Sequence, residues 1–152
     1  MRTLVVLVAT VGGVGYAPVA SGTFGSLVAM PLLPLLAGLR AESLVGYALA
    51  VAGIVAVSIW AAGRAEAIFG GKDHSYIVVD EVAGLVMAGM FLPGTWLATV
   101  LAFVLFRLFD VLKPFPANIF DQRVRGGIGV VGDDLIAGIY AGLGAWLVLR
   151  WV

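Results

Sequence analysis

From Ser43 to Gly63 the chain carries no charged residue. A run of that length matches the bilayer, because about 20 apolar residues at 1.5 Å each cover a ~30 Å hydrocarbon core as a helix. Other apolar runs accompany it. Leu135–Leu149 is followed by Arg150 and makes a shorter span if its helix begins near Asp133. Val82–Phe106 is uncharged but interrupted at Pro93-Gly94, a strong turn signal. It reads either as one kinked helix or as two arms of a hairpin. Leu27–Leu39 is broken by Pro31 and Pro34, and either crosses the membrane or dips in and returns.

Composition agrees with a membrane protein. The 152 residues are 62% hydrophobic and 12% charged, with mean hydropathy +1.10, where soluble domains carry about 25% charge. The net charge is zero, so no basic footprint points to nucleic acid. The absence of cysteine excludes disulfides, thiolate metal sites and cysteine nucleophiles. The N-terminal "MRTLVVLVATVGG" has some features of a signal peptide. No small-residue cleavage site leads from it into a soluble chain, so it is read as part of one membrane-embedded domain over residues 1–152.

Charge placement decides the topology. Suppose Leu27–Leu39 crosses. With Val82–Phe106 as a hairpin, Arg2, Arg64, Lys72, Arg107, Lys113, Arg123 and Arg125 share one side, and only Arg40 and Arg150 lie opposite. As a single span, Val82–Phe106 would split the basic residues four against five. The positive-inside rule favours the hairpin and puts the basic side in the cytoplasm. The acids partition likewise: Glu66, Asp73, Asp80, Glu81, Asp110, Asp121, Asp133 and Asp134 on the basic side, Glu42 opposite. The expected fold is all-α: a small polytopic helical membrane protein with a helical hairpin at 80–112 and a glycine-rich N-terminal loop.

Several acids fall at the ends of apolar helices. Asp80-Glu81 precede Val82, Asp110 follows the second hairpin arm, and Asp133-Asp134 precede Leu135. Clustered carboxylates repel unless a cation or protons intervene, and hard oxygen ligands favour Mg²⁺, Ca²⁺ or Mn²⁺. The plain alternative makes Asp80 and Asp133 helix N-caps. In "FRLFDVLKPFP", Arg107 and Asp110 are three apart and share a helix face. Pro114 ends that helix near Lys113, and "KPFP" is expected to leave as an extended segment. These charges form either an interfacial pair with a snorkelling lysine or a metal ligand flanked by two anion-binding cations. "ATVGGVGYAPVASGTFGSL" is glycine-rich and uncharged. Its glycines either present N–H groups to phosphate or allow close helix packing. "RGGIGVVGDD" reads as a similar turn before the last helix.

His74 is the sole histidine, and "DVLK" lacks the Asp-x-Asp of aspartate-nucleophile phosphatases. Covalent routes are therefore set aside in favour of metal-assisted attack by water on a phosphate ester.

Four segments in order, "GYAPVASGTFGSLVAMP", "KDHSYIVVDEVAG", "FRLFDVLKPFP" and "GGIGVVGDDLIAG", together resemble the phosphatidylglycerophosphatase A family. The resemblance runs from about Ala9 to Gly142. It implies an all-helical enzyme of the bacterial inner membrane that uses Mg²⁺ to release the terminal phosphate of phosphatidylglycerophosphate. Chemistry then suggests the roles. Asp80, Glu81, Asp110 and Asp134 are expected to hold Mg²⁺. Asp133 is expected to be general base or orienting group. Arg107 and Lys113 are expected on phosphate oxygens, with Gly22, Thr23, Gly25 and Ser26 closing over the phosphate. Asp133, Asp110 and Lys113 form the expected catalytic set. The expected partner is a lipid phosphate reached from the cytoplasmic face, and a second copy of the chain is left open. The alternative is a small ion-binding or transport membrane protein without hydrolytic activity.

Overall fold

The computed structural model describes residues 1–71 and 74–151, apart from the side chain of Asp121. Lys72 and Asp73, placed on the basic side by the charge partition, lie outside the described residues. The helices in order are α1 (Arg2–Ala9), α2 (Ser21–Ala29), α3 (Leu32–Glu42), α4 (Leu44–Phe69), α5 (Val79–Ala88), α6 (Trp96–Leu112), α7 (Ala117–Arg123) and α8 (Gly127–Leu149), with a 3₁₀ turn at Val14–Tyr16. No strand occurs among the described residues.

Among the described residues, three segments are long and apolar enough to cross a membrane: Ser21–Glu42, α4 and α8. The first is α2 running on into α3. Pro31 sits at the cap of α3 and Pro34 in its first turn, where a helix N–H has no intrahelical acceptor to lose. Large side chains such as Leu35, Leu49, Phe91 and Trp96 are at least 65% exposed. A soluble monomer does not carry such a surface; hydrocarbon covers it. The chain is a helical membrane protein.

Helix α8 runs through the centre and packs on α4, α5, α6 and α7. Small residues bring it close. A Cβ on Gly138 would stand 2.2 Å from the Gly84 carbonyl oxygen, and one on Gly127 1.8 Å from that of Ile59. Without a hydrophobic drive between helices in lipid, such approach is the main source of packing energy. Phe106 fills the core beside Leu85, Ala102, Ala137 and Ala141.

Helices α5 and α6 form the expected hairpin, turning at residues 89–95. Arg40, on α3, donates to the Met90 and Leu92 carbonyls at 2.5 and 2.9 Å, and the Tyr47 hydroxyl donates to Met90 O at 2.8 Å. The end of α3, the start of α4 and the hairpin turn therefore share one end of the bundle. At the other end α2 meets α5 through Ser26 and Glu81, and Ser58 of α4 donates to Val79 O at 3.2 Å. Ser21–Glu42 thus traverses the full height of the bundle instead of turning back.

Two local expectations are corrected. The last helix begins at Gly127, not near Asp133, so "GGIGVVGDD" is helical after its first glycine, the cap Gly126. Its glycines serve contact: a Cβ at Gly129 would stand 2.2 Å from Val124 O, and one at Gly132 2.4 Å from the Phe120 ring. "KPFP" is not extended. It turns, with Ala117 N–H donating to Pro114 O at 2.7 Å, and enters α7.

Candidate active site

Four helix ends and one loop enclose a pocket of about 390 Å³. The first turn of α5 supplies Asp80 and Glu81. The last turns of α6 supply Asp110 and Val111. The second turn of α8 supplies Asp133 and Asp134, and α2 supplies Ser21 and Gly22. Lys113, just past α6, and Ser75 and Ile77 of the α4–α5 connection complete the wall. That connection is pinned where Val78 N–H donates to Ala9 O at 2.9 Å and Ser21 Oγ donates to Ser75 O at 2.7 Å.

The carboxylates are recessed. Asp80, Glu81, Asp133 and Asp134 are each 9% exposed or less. Asp133 lies six residues inside α8, about 9 Å along its axis. Neither Asp80 nor Asp133 is an N-cap: Val78 and Gly126 hold those positions. Asp80 Oδ1 instead accepts the Glu81 N–H at 3.0 Å.

Two cations organise the cluster. Arg107 bridges Glu81, through a short ion pair, and Asp110 at 3.0 Å. The second contact is the i, i+3 pair read from the sequence. Lys113 ends α6 in the left-handed region at φ 43°, which L-residues rarely adopt, and its Nζ donates to Asp133 Oδ2 at 2.8 Å. Backbone held there against its preference is a recurrent mark of functional sites.

The glycine-rich segment divides. Residues 11–20 form the expected loop, with Gly13 at φ 100°. "SGTFGS" is the opening of helix α2, and only its first two residues reach the pocket. Gly25 packs on Val78. Thr23 does not line the pocket. Ser26 is fully buried, and its hydroxyl oxygen lies 3.1 Å from Glu81 Oε2 and 3.0 Å from Gly22 O, two acceptors within reach of its one proton. Ser21, Ser75 and Ile77 were absent from the sequence-based site. The first is adjacent to Gly22, while no local signal marks the other two.

Around the pocket, the five carboxylates face Arg107 and Lys113, a formal excess of three negative charges among the described residues. Among those residues no three acidic or histidine side chains form a ready ligand group, and Arg107 and Lys113 engage Glu81, Asp110 and Asp133. The donor set is all carboxylate and hydroxyl oxygen, which fits a hard divalent cation. A groove of about 310 Å³ between α5 and α8, lined by Met87, Leu143 and Trp146, contains no titratable group. The chemistry therefore belongs to the acidic pocket.

Fold and pocket define a helical membrane protein with a recessed acidic cluster at one end. The phosphatidylglycerophosphatase A family profile matches residues 7–149, and the chain belongs to that family; it is a phosphatase. Phosphatidylglycerophosphatase A of Escherichia coli K12 is 35% identical over 84% of this chain and 73% of its own length. The Haemophilus influenzae protein of the same name is 33% identical over 92% and 85%. A Bacteroides thetaiotaomicron protein, named provisionally a phosphatidylinositol-3-phosphatase, is 36% identical over 98% and 95%. No solved structure matches the chain.

Proposed function

We propose that the protein hydrolyses the phosphomonoester of phosphatidylglycerophosphate at the acidic pocket, with Mg²⁺, to give phosphatidylglycerol and phosphate. The observation that carries this reading is the excess of buried carboxylate at the end of a membrane bundle, with one lysine reaching into it. Asp80, Glu81, Asp110 and Asp134 are the residues to hold the cation. Bound there, Mg²⁺ supplies positive charge to the phosphate oxygens and aligns the ester. Lys113 exchanges its contact with Asp133 for a phosphate oxygen when substrate enters. Asp133, released from that pair, takes a proton from the water that attacks phosphorus. The bond from phosphorus to the glycerol oxygen breaks, and the departing oxygen recovers the proton from Asp133. Arg107 is held by Glu81 and Asp110, so it orders these two acids.

The sequence's basic residues partition to the side on which the acids lie, which supports a site facing the cytoplasm of a bacterial inner membrane. The lipid tails stay in the bilayer while the head group reaches the cluster. The test is phosphate release from detergent-solubilised protein with phosphatidylglycerophosphate, phosphatidylinositol 3-phosphate or soluble glycerol 3-phosphate, each with Mg²⁺ or a chelator. The reading requires turnover of the first substrate above the others, and its loss on chelation. Preference for the inositol lipid would reassign the substrate, and turnover in chelator would remove the metal.

A further inference from the structure

The Glu81 carboxylate is gripped on three sides. Oε2 receives the Ser26 hydroxyl at 3.1 Å and the Arg107 guanidinium. Oε1 occupies space that any side chain at position 22 would take, since a Cβ there would stand 1.8 Å from it. Ser26 is wholly buried, so its hydroxyl has no access to water or to a ligand in the pocket. That hydroxyl has one proton and two acceptors in reach, Glu81 Oε2 and Gly22 O. The carbonyl already has a helical N–H partner at i+4, whereas a buried carboxylate oxygen gains most from a donated proton.

We propose that Ser26 is a positioning residue. With Gly22 it fixes Glu81 against Arg107, and through Arg107 it sets the orientation of Asp110. This rests on the proposed phosphatase site and differs from the phosphate contact that the sequence suggested for Ser26. Partners that orient the acids of a metal site typically alter affinity or activity 10- to 100-fold when removed.

The experiment uses the full chain in detergent and two readouts. In phosphate release, Ser26→Ala should lower kcat by about tenfold or more while KM stays near the wild-type value. In thermal unfolding without substrate, Ser26→Ala should lower the midpoint in the wild-type background. It should cause little further loss in Glu81→Ala, where the acceptor is gone. Unchanged kcat, or a raised KM with kcat retained, would overturn the proposal; the second result would return Ser26 to the phosphate. Additive losses in unfolding would overturn it too. If the wild-type protein releases no phosphate, the proposed function fails by itself, and the unfolding cycle alone decides whether Ser26 holds Glu81.

Discussion

The Lys113 ammonium lies 2.8 Å from Asp133 Oδ2, joining the left-handed cap of α6 to the second turn of α8. Because the pair lies at the pocket wall, it connects the cation proposed to meet a phosphate with the base proposed to take a proton.

Lys113→Ala should therefore be severe. Loss of a charge-assisted hydrogen bond costs about 1.5–3 kcal/mol, roughly 10- to 150-fold in kcat/KM. Steady-state phosphate release measures it, and an unchanged rate and affinity would reduce Lys113 to an interfacial anchor.

Asp110→Asn and Asp134→Asn should abolish turnover while the protein inserts and folds. Asp134 is 4% exposed and Asp110 pairs with Arg107, so each amide keeps the shape but loses the charge. Activity and thermal unfolding, measured side by side, separate chemistry from folding. Near-normal rates in both variants would remove the carboxylate cluster from the mechanism.

Two glycines of the same membrane segment should respond oppositely. Gly22→Ala drives a methyl into the Glu81 carboxylate and should cost at least tenfold in kcat by moving it off Arg107. Gly38, within α3, has open space at its Cβ position, and Gly38→Ala should retain full activity and gain up to about 1 kcal/mol of helix stability. Equal, mild effects on rate at the two sites would show that Glu81 is not confined at Gly22.

The hairpin can be checked by labelling, since the chain contains no cysteine of its own. Gly71→Cys and Gln122→Cys, both exposed, should react only from the cytoplasm, and Phe91→Cys only from outside. Labelling of the first two from opposite sides would make residues 82–106 a single span.

Much of this was legible in the sequence, and the misses share a cause. Pro93-Gly94 and the charge partition gave the α5–α6 hairpin, because charged groups cannot rest in hydrocarbon and mark the ends of buried runs. Asp80, Glu81, Asp110, Asp133 and Asp134 were identified by the same logic, and they meet in one pocket. The glycines were only half legible: close packing was one of the two readings of the N-terminal segment, and it holds for Gly22 and Gly25, but the helical form was missed. "SGTFGS" and "GGIGVVGDD" read as turns, since in water glycine weakens helices. In a membrane bundle, the same residues admit a neighbouring backbone or side chain, as Gly127 admits the Ile59 carbonyl and Gly22 the Glu81 carboxylate. The arrival of Ser75 and Ile77 at the pocket was not readable, because a loop's landing place depends on distant contacts such as Val78 to Ala9.

Arg40 and Tyr47 fasten the hairpin turn by three hydrogen bonds to its carbonyls, whereas the other ends of the same two arms meet through Glu81, Arg107 and Asp110. The first set is neutral at its acceptors. The second is ionic, and under the proposed function an arriving phosphate or metal would compete for its members. The hairpin is therefore built like a pair of tongs, with its rivet at one end of the bundle and its jaws, already joined by ion pairs, at the other.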